Sequence, residues 1–238
     1  MISELRNKEL GIIELIGRGW KVFKDNFISI FIITLIIDFP LDILGSLLEI
    51  HNIRLFFYIY LGLTFHFLHL MAVAIIVEQY ILQGKDYSFQ NRLKALLSAL
   101  QKAFSSVGNL LGTVSFFAGL IFLFSLLFII PALNFIVNGF FLLETVTLRN
   151  QRGKAALSYS KSIVQGRWWK VFFLWVALLI NLFIIVFMIF IITVLIDLIS
   201  PSLKIFTLII SNLSVSLLLL LNQVFSTICF LNLDFCKK

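Results

Sequence analysis

The chain has 238 residues, of which 61% are hydrophobic and 13% charged, and its mean hydropathy is +1.05. Soluble domains carry roughly a quarter charged residues, so a soluble globular protein is excluded, and apolar runs nearly exhaust the length, leaving no room for a soluble catalytic domain. The net charge of +7 is unevenly placed and therefore reads as a topological signal.

The first predicted element is an amphipathic helix. Ile13, Ile16, Trp20 and Phe23 recur at steps of three and four, while Lys8, Glu14, Arg18 and Lys21 take other faces. The first 26 residues hold four acids and no small-residue cleavage site before a short apolar core, so no cleaved signal peptide is expected. Spans are predicted at 27–50 and 54–82. A second amphipathic helix follows, with Phe89, Leu93, Leu96, Leu97, Leu100 and Phe104 on one side and Arg92, Lys94, Gln101 and Lys102 opposite. Spans at 107–130 and 132–148 come next, the latter barely long enough to cross. The third amphipathic stretch, RGKAALSYSKSIVQGR, sets Leu157, Ser160 and Val164 against Lys154, Ser158, Lys161 and Gln165. The last two spans are 171–199 and 204–232. Their runs lack the alternation and turn punctuation of an outer-membrane barrel.

The expected fold is thus all-α: a polytopic membrane protein with six transmembrane helices as three hairpins. Each hairpin follows an interfacial helix whose basic side chains reach headgroups. The whole of 1–238 reads as one membrane domain with repeat units of about 8–83, 88–148 and 153–234. Lysines and arginines cluster before span one, between spans two and three, between four and five and at the C-terminus, whereas only Arg54 and Lys204 fall on the other side. By the positive-inside rule both termini are cytoplasmic, in a plasma (inner) membrane. The same basicity implies attraction to anionic membrane lipid and carries no nucleic-acid motif.

Two phrases repeat almost letter for letter: GRGWKVF at 17–23 and GRWWKVF at 166–172. Both read as corners where an interfacial helix bends at glycine, anchors by tryptophan and dives into a span, with residues 104–108 as the middle corner. Pro40, Pro131 and Pro201 fall near the outer turns, where a lost backbone donor is easiest to satisfy. The return helices also match at their inner ends, in EQYIL from Glu78, ETVTL from Glu144 and NQVFS from Asn222.

This pattern resembles the membrane domain of bacterial glycerophosphoryl diester phosphodiesterases and related stand-alone six-span inner-membrane proteins. The residues that carry the likeness are Glu144, Gly153, Ala156, Leu157, Ser160, Gly166, Arg167, Trp168, Trp169 and Phe172. The resemblance implies the fold and the inner membrane. The metal-dependent catalytic barrel found in some members has no counterpart here, so the resemblance implies no activity.

Charge inside hydrocarbon costs roughly 3 kcal/mol on insertion scales, so ionisable residues within spans are the site candidates. Glu78 and Glu144 need partners, and Arg18 and Arg167, beside Trp20 and Trp169, are the expected ones, with Asn222 as the third-repeat equivalent. Such pairs clamp each amphipathic helix to its hairpin, or the arginines bind a headgroup, or a carboxylate couples to protons. Asp38 and Asp42, four apart on one helical face, and Asp197 form a candidate external acidic face for a cation, with simple solvation as the alternative. His66 and His69 are weak metal or cofactor ligands, since no cysteine, histidine or carboxylate cluster accompanies them, and no cofactor is expected. Cys229 and Cys236 read as free thiols, inert or, as a second reading, a lipidation site.

No phosphate loop, HExxH, GxSxG or dinucleotide fingerprint is present, so no enzymatic activity is expected. Two readings stay open. One is binding or movement of a lipid-like amphiphile or small solute. The other is an assembly, anchoring, resistance or immunity role against a membrane-protein partner or a second copy of the chain.

Overall fold

The computed structural model describes residues 2–47, 52–83, 89–127, 129–200, 202 and 204–236. Within these, side chains are described except at 3, 38, 39, 41–47, 52–61, 83, 89–93, 123–127, 129, 130, 204, 205 and 208. Among the described residues every regular element is a helix: α1 (Ile2–Asn7), α2 (Ile12–Leu47), α3 (Asn52–Gln83), α4 (Phe89–Leu127), α5 (Ile129–Asn138), α6 (Leu142–Arg149), α7 (Gly153–Val164), α8 (Trp168–Ile199) and α9 (Lys204–Phe235).

Among the described residues five stretches are long and apolar enough to cross a membrane: Gly62–Leu82, Lys94–Phe122, Pro131–Arg149, Trp168–Ile199 and Ile209–Phe235. These define a helical, multi-pass membrane protein. The first expected span, 27–50, coincides with α2 as far as Leu47, and its last three positions lie outside the described residues.

Helix α9 holds the assembly together, packing against α1, α2, α3, α7 and α8, while α3 also lies along α2, α4 and α6. The shared core comes from the C-terminal halves of α3 and α9. Met71 through Val77 and Val224 through Leu233 are buried in near-continuous runs, as expected of helices surrounded by other helices. Helix α8 differs, touching α9 and α5 and burying only Val171, Leu174 and Leu178 of its 32 residues. Its remaining surface is apolar and exposed, the character of a lipid-facing helix.

Two expectations from the sequence are corrected here. The fourth span is not one helix: α5 ends at Asn138 and α6 begins at Leu142. At the break Gly139 lets the Phe117 ring of α4 lie against the backbone, where a Cβ would overlap it, and that ring stacks on Phe135 at 4.9 Å. Secondly, the corners expected at Gly17–Gly19 and at 104–108 lie inside the continuous helices α2 and α4. Of the three, only the corner at Gly166 is a bend, with φ +80°. The amphipathic stretches of α2 and α4 each bury one face against the bundle. In α2 the buried stripe includes Leu15, Val22 and Phe23, leaving Ile13, Ile16 and Trp20 exposed. In α4 it runs through Leu96, Ala99 and Ala103, leaving Leu97 and Phe104 exposed. Small residues at the α3 contact let the two backbones approach closely, and the larger apolar side chains form outward stripes suited to acyl chains.

Candidate functional site

Breaking a helix inside a membrane orphans backbone groups, which must then find partners within the protein. Helix α7 supplies them. Ser160, fully buried, donates its hydroxyl to the Asn138 carbonyl at 2.7 Å and accepts the Phe141 N–H at 3.3 Å, bridging both sides of the break. Ala156, Ile163 and Val164 complete the buried face of α7, and Thr113 of α4 accepts the Gly153 N–H at 3.1 Å where that helix starts. The spacing of Ala156 and Ser160 is thus the footprint of a helix docked on a broken span.

In the first turn of α6, just past the break, lies Glu144, 1% exposed. Its Oε1 accepts from Gln223 Nε2 at 2.9 Å and from Ser226 Oγ at 2.6 Å, both on α9. A carboxyl group in such surroundings is tolerated because polar groups of the facing helix solvate it. These three polar side chains form one wall of a crevice of about 230 Å³. Opposite stand Trp175, Leu178, Leu179 and Leu182 of the lipid-facing helix α8. Asn222 also lines the crevice, its Nδ2 3.5 Å from the Leu178 carbonyl and its Oδ1 accepting no hydrogen bond among the described residues.

Nearer the basic end a second cluster ties four helices together. Arg149, last residue of α6, donates through Nη1 to Glu78 of α3 at 2.6 Å and through Nε and Nη2 to Asp234 of α9 at 2.9 and 2.7 Å. Its guanidinium lies 5.4 Å from the Phe230 ring centroid, and Tyr159 of α7 donates to the other Asp234 oxygen at 2.6 Å. Burial, then the Asp234 carboxylate that accepts its proton, raises the Tyr159 hydroxyl pKa above the ordinary tyrosine value. This geometry is a fork–carboxylate clamp of the kind only arginine makes.

The structure therefore distributes the expected pairs differently. Glu78 meets Arg149, and Glu144 meets Gln223 and Ser226, whereas Arg18 pairs with Glu4 at 2.5 Å and Arg167 with Glu9. Both arginines thus find their acids on the N-terminal arm, at Glu4 and Glu9. Hydrogen bonding and the charge of Arg18 hold the exposed Glu4 carboxyl below its ordinary pKa. Trp20 is exposed, with Lys24 Nζ 5.1 Å over its ring, and Trp169 is exposed and edge-on to Trp168. Asp197 accepts from Thr207 at 2.7 Å, tying α8 to α9. The side chains of Asp38 and Asp42 lie outside the described residues. His69 is buried with Nε2 3.3 Å from Thr34 Oγ1, and His66 is half-buried. Among the described residues no group of three or more histidine, cysteine or acidic side chains is placed to hold a metal ion. Cys229 and Cys236 are free thiols, the former buried.

Asp234 and Arg149 had no signal in the sequence beyond their unusual positions. Arg149 reads there as one more topological charge, and Asp234 as an acid at a helix end. Set against known proteins, the chain matches no family model, no curated protein and no solved structure.

Proposed function

We propose that this is a non-enzymatic plasma-membrane protein that binds a lipid-like amphiphile in the crevice between α6, α8 and α9. The observation that carries this reading is the buried Glu144 carboxyl on the wall of a cavity that is otherwise mostly apolar. An acceptor group at the end of an apolar slot suits a ligand with a hydrogen-bond-donating head, hydroxyl or ammonium, and an alkyl tail. The tail would lie along Leu178, Leu179 and Leu182, on a helix whose outer face is open to lipid. Membership of the phosphodiesterase membrane-domain family belongs to the same reading, supported by the docking role of Ala156 and Ser160 and the bend at Gly166.

The test is native mass spectrometry of the protein purified in mild detergent. Leu179→Trp fills the crevice, and Leu198→Trp places the same side chain on the exposed face of the same helix. Bound amphiphile is expected on the unaltered protein and on Leu198→Trp, and should be lost from Leu179→Trp. Equal retention by both variants, or no amphiphile on the unaltered chain, would remove the proposal.

The partner reading draws on a different observation, the long exposed apolar surface of α8, including Phe183, Phe187 and Phe190. A membrane protein or second copy packed there would co-purify in mild detergent and be released by Phe183→Ala and Phe187→Ala together.

A further inference from the structure

We propose that a cleft at the basic end of the bundle is a second site, which binds the phosphate group of an anionic ligand. The cleft has a volume of about 670 Å³ and lies between the N-terminal arm and the α7–α8 corner, with Phe235 and Cys236 of the α9 end at its base. It shares no lining residue with the crevice around Glu144.

Charge in the cleft is unbalanced. Arg6, Lys8 and Arg167 line it against one carboxylate, Glu9. Glu9 is already claimed twice, by Arg167 and by Lys170 at 3.6 Å. Lys8 meets Glu14 at 3.1 Å in a solvent-exposed pair, which holds the lysine weakly. Arg6 has no ion pair among the described residues; its guanidinium instead lies over the Phe235 ring, 5.4 Å from the centroid, a placement that orients its donors. The Gln165 side chain adds a further amide at the rim.

Both walls are tied in place. Asn232, fully buried, donates to the Leu5 and Lys8 carbonyls at 2.9 Å and accepts the Leu10 N–H at 2.9 Å, fixing the arm that bears Arg6 and Lys8 onto α9. Across the cleft, the positive φ of Gly166 turns the chain so that the Arg167 N–H closes on the Val164 carbonyl at 2.8 Å. A concave, braced surface with more cationic donors than acceptors fits a doubly or triply charged oxyanion, and guanidinium groups match phosphate geometry. Phosphate could reach the cleft on an anionic phospholipid head or on a compound in the aqueous phase. The recognised group is the same in both.

The full-length protein in neutral detergent would be titrated calorimetrically with inorganic pyrophosphate and, separately, with a short-chain phosphatidic acid. Arg6→Gln combined with Lys8→Gln alters two exposed side chains that take no part in the Asn232 ties. At least one probe should bind, and the double variant should bind it about tenfold more weakly, equivalent to losing one charge-assisted contact. Pyrophosphate alone would indicate an aqueous ligand, the lipid alone a headgroup, and both the phosphate group itself. Gln165→Glu, at the exposed rim, should weaken binding in the same direction and serves if the double variant does not fold. Failure of both probes to bind, or unchanged affinity in the variants, would overturn the proposal while leaving amphiphile retention in the Glu144 crevice a separate result.

Discussion

Residues 17–23 and 166–172 spell nearly the same phrase, yet one is the interior of a continuous helix and the other opens on a left-handed glycine between two helices. The letters are local, but the backbone follows the partners. In the first copy Gly19 lies against Phe225 so closely that a Cβ would overlap the ring, and the helix runs on. In the third copy α7 must dock Ser160 on the break at 139–141, which fixes its direction apart from that of α8, and Gly166 absorbs the change. The anchoring differs as well. The arm beside the first copy adds only an exposed Arg18–Glu4 pair to its backbone ties with Asn232, whereas α7 is held by the part-buried Arg149–Asp234–Tyr159 cluster.

The largest effect should come from that cluster. Arg149→Ala leaves Glu78 and Asp234 without their shared cation and should cost about 3–5 kcal/mol, read as loss of folded protein in detergent. Ser160→Ala strips the break of its bridge and should cost about 1–3 kcal/mol by the same thermal measurement. The glycines of the twin phrases should then move in opposite directions. Gly166→Ala forces a side chain into the left-handed region and should destabilise by about 1–2 kcal/mol. Gly17→Ala, with open space around it in mid-helix, should stabilise by about 1 kcal/mol. Equal signs for the two would erase the contrast between the copies.

The smallest effect separates the two anchors by pH. Because the Tyr159 pKa is raised in the folded state, its contribution is complete below the ordinary tyrosine value and falls as pH climbs above it. The stability difference between the protein and Tyr159→Phe should therefore be constant through neutral pH and shrink above about pH 10.

The membrane class, the helical character of the chain and the positions of most apolar runs were legible because they follow from composition and run length. The break in the fourth span was not, since Gly139 matters only once Phe117 of another helix is beside it. Glu144 and Glu78 stood out as charges in apolar surroundings, a local signal. Their partners did not, because Gln223, Ser226 and Arg149 are distant in sequence and ordinary in type. The expected arginine pairs failed for the complementary reason: Arg18 and Arg167 find acids on the N-terminal arm, which a repeat-based reading does not bring near them.

The central claim is an amphiphile seated beside Glu144, and Trp175 on the same crevice is a built-in reporter. With Trp20, Trp168 and Trp169 changed to phenylalanine, Trp175 fluorescence would be titrated with a bromine-labelled monoacylglycerol, whose head donates through hydroxyl groups. Saturable quenching is expected, with affinity weakened about tenfold by Leu179→Phe and about threefold by Glu144→Gln, which retains the shape but replaces a carboxyl oxygen with an amide donor. Linear quenching that never saturates and is unchanged by these substitutions would contradict a site at the crevice.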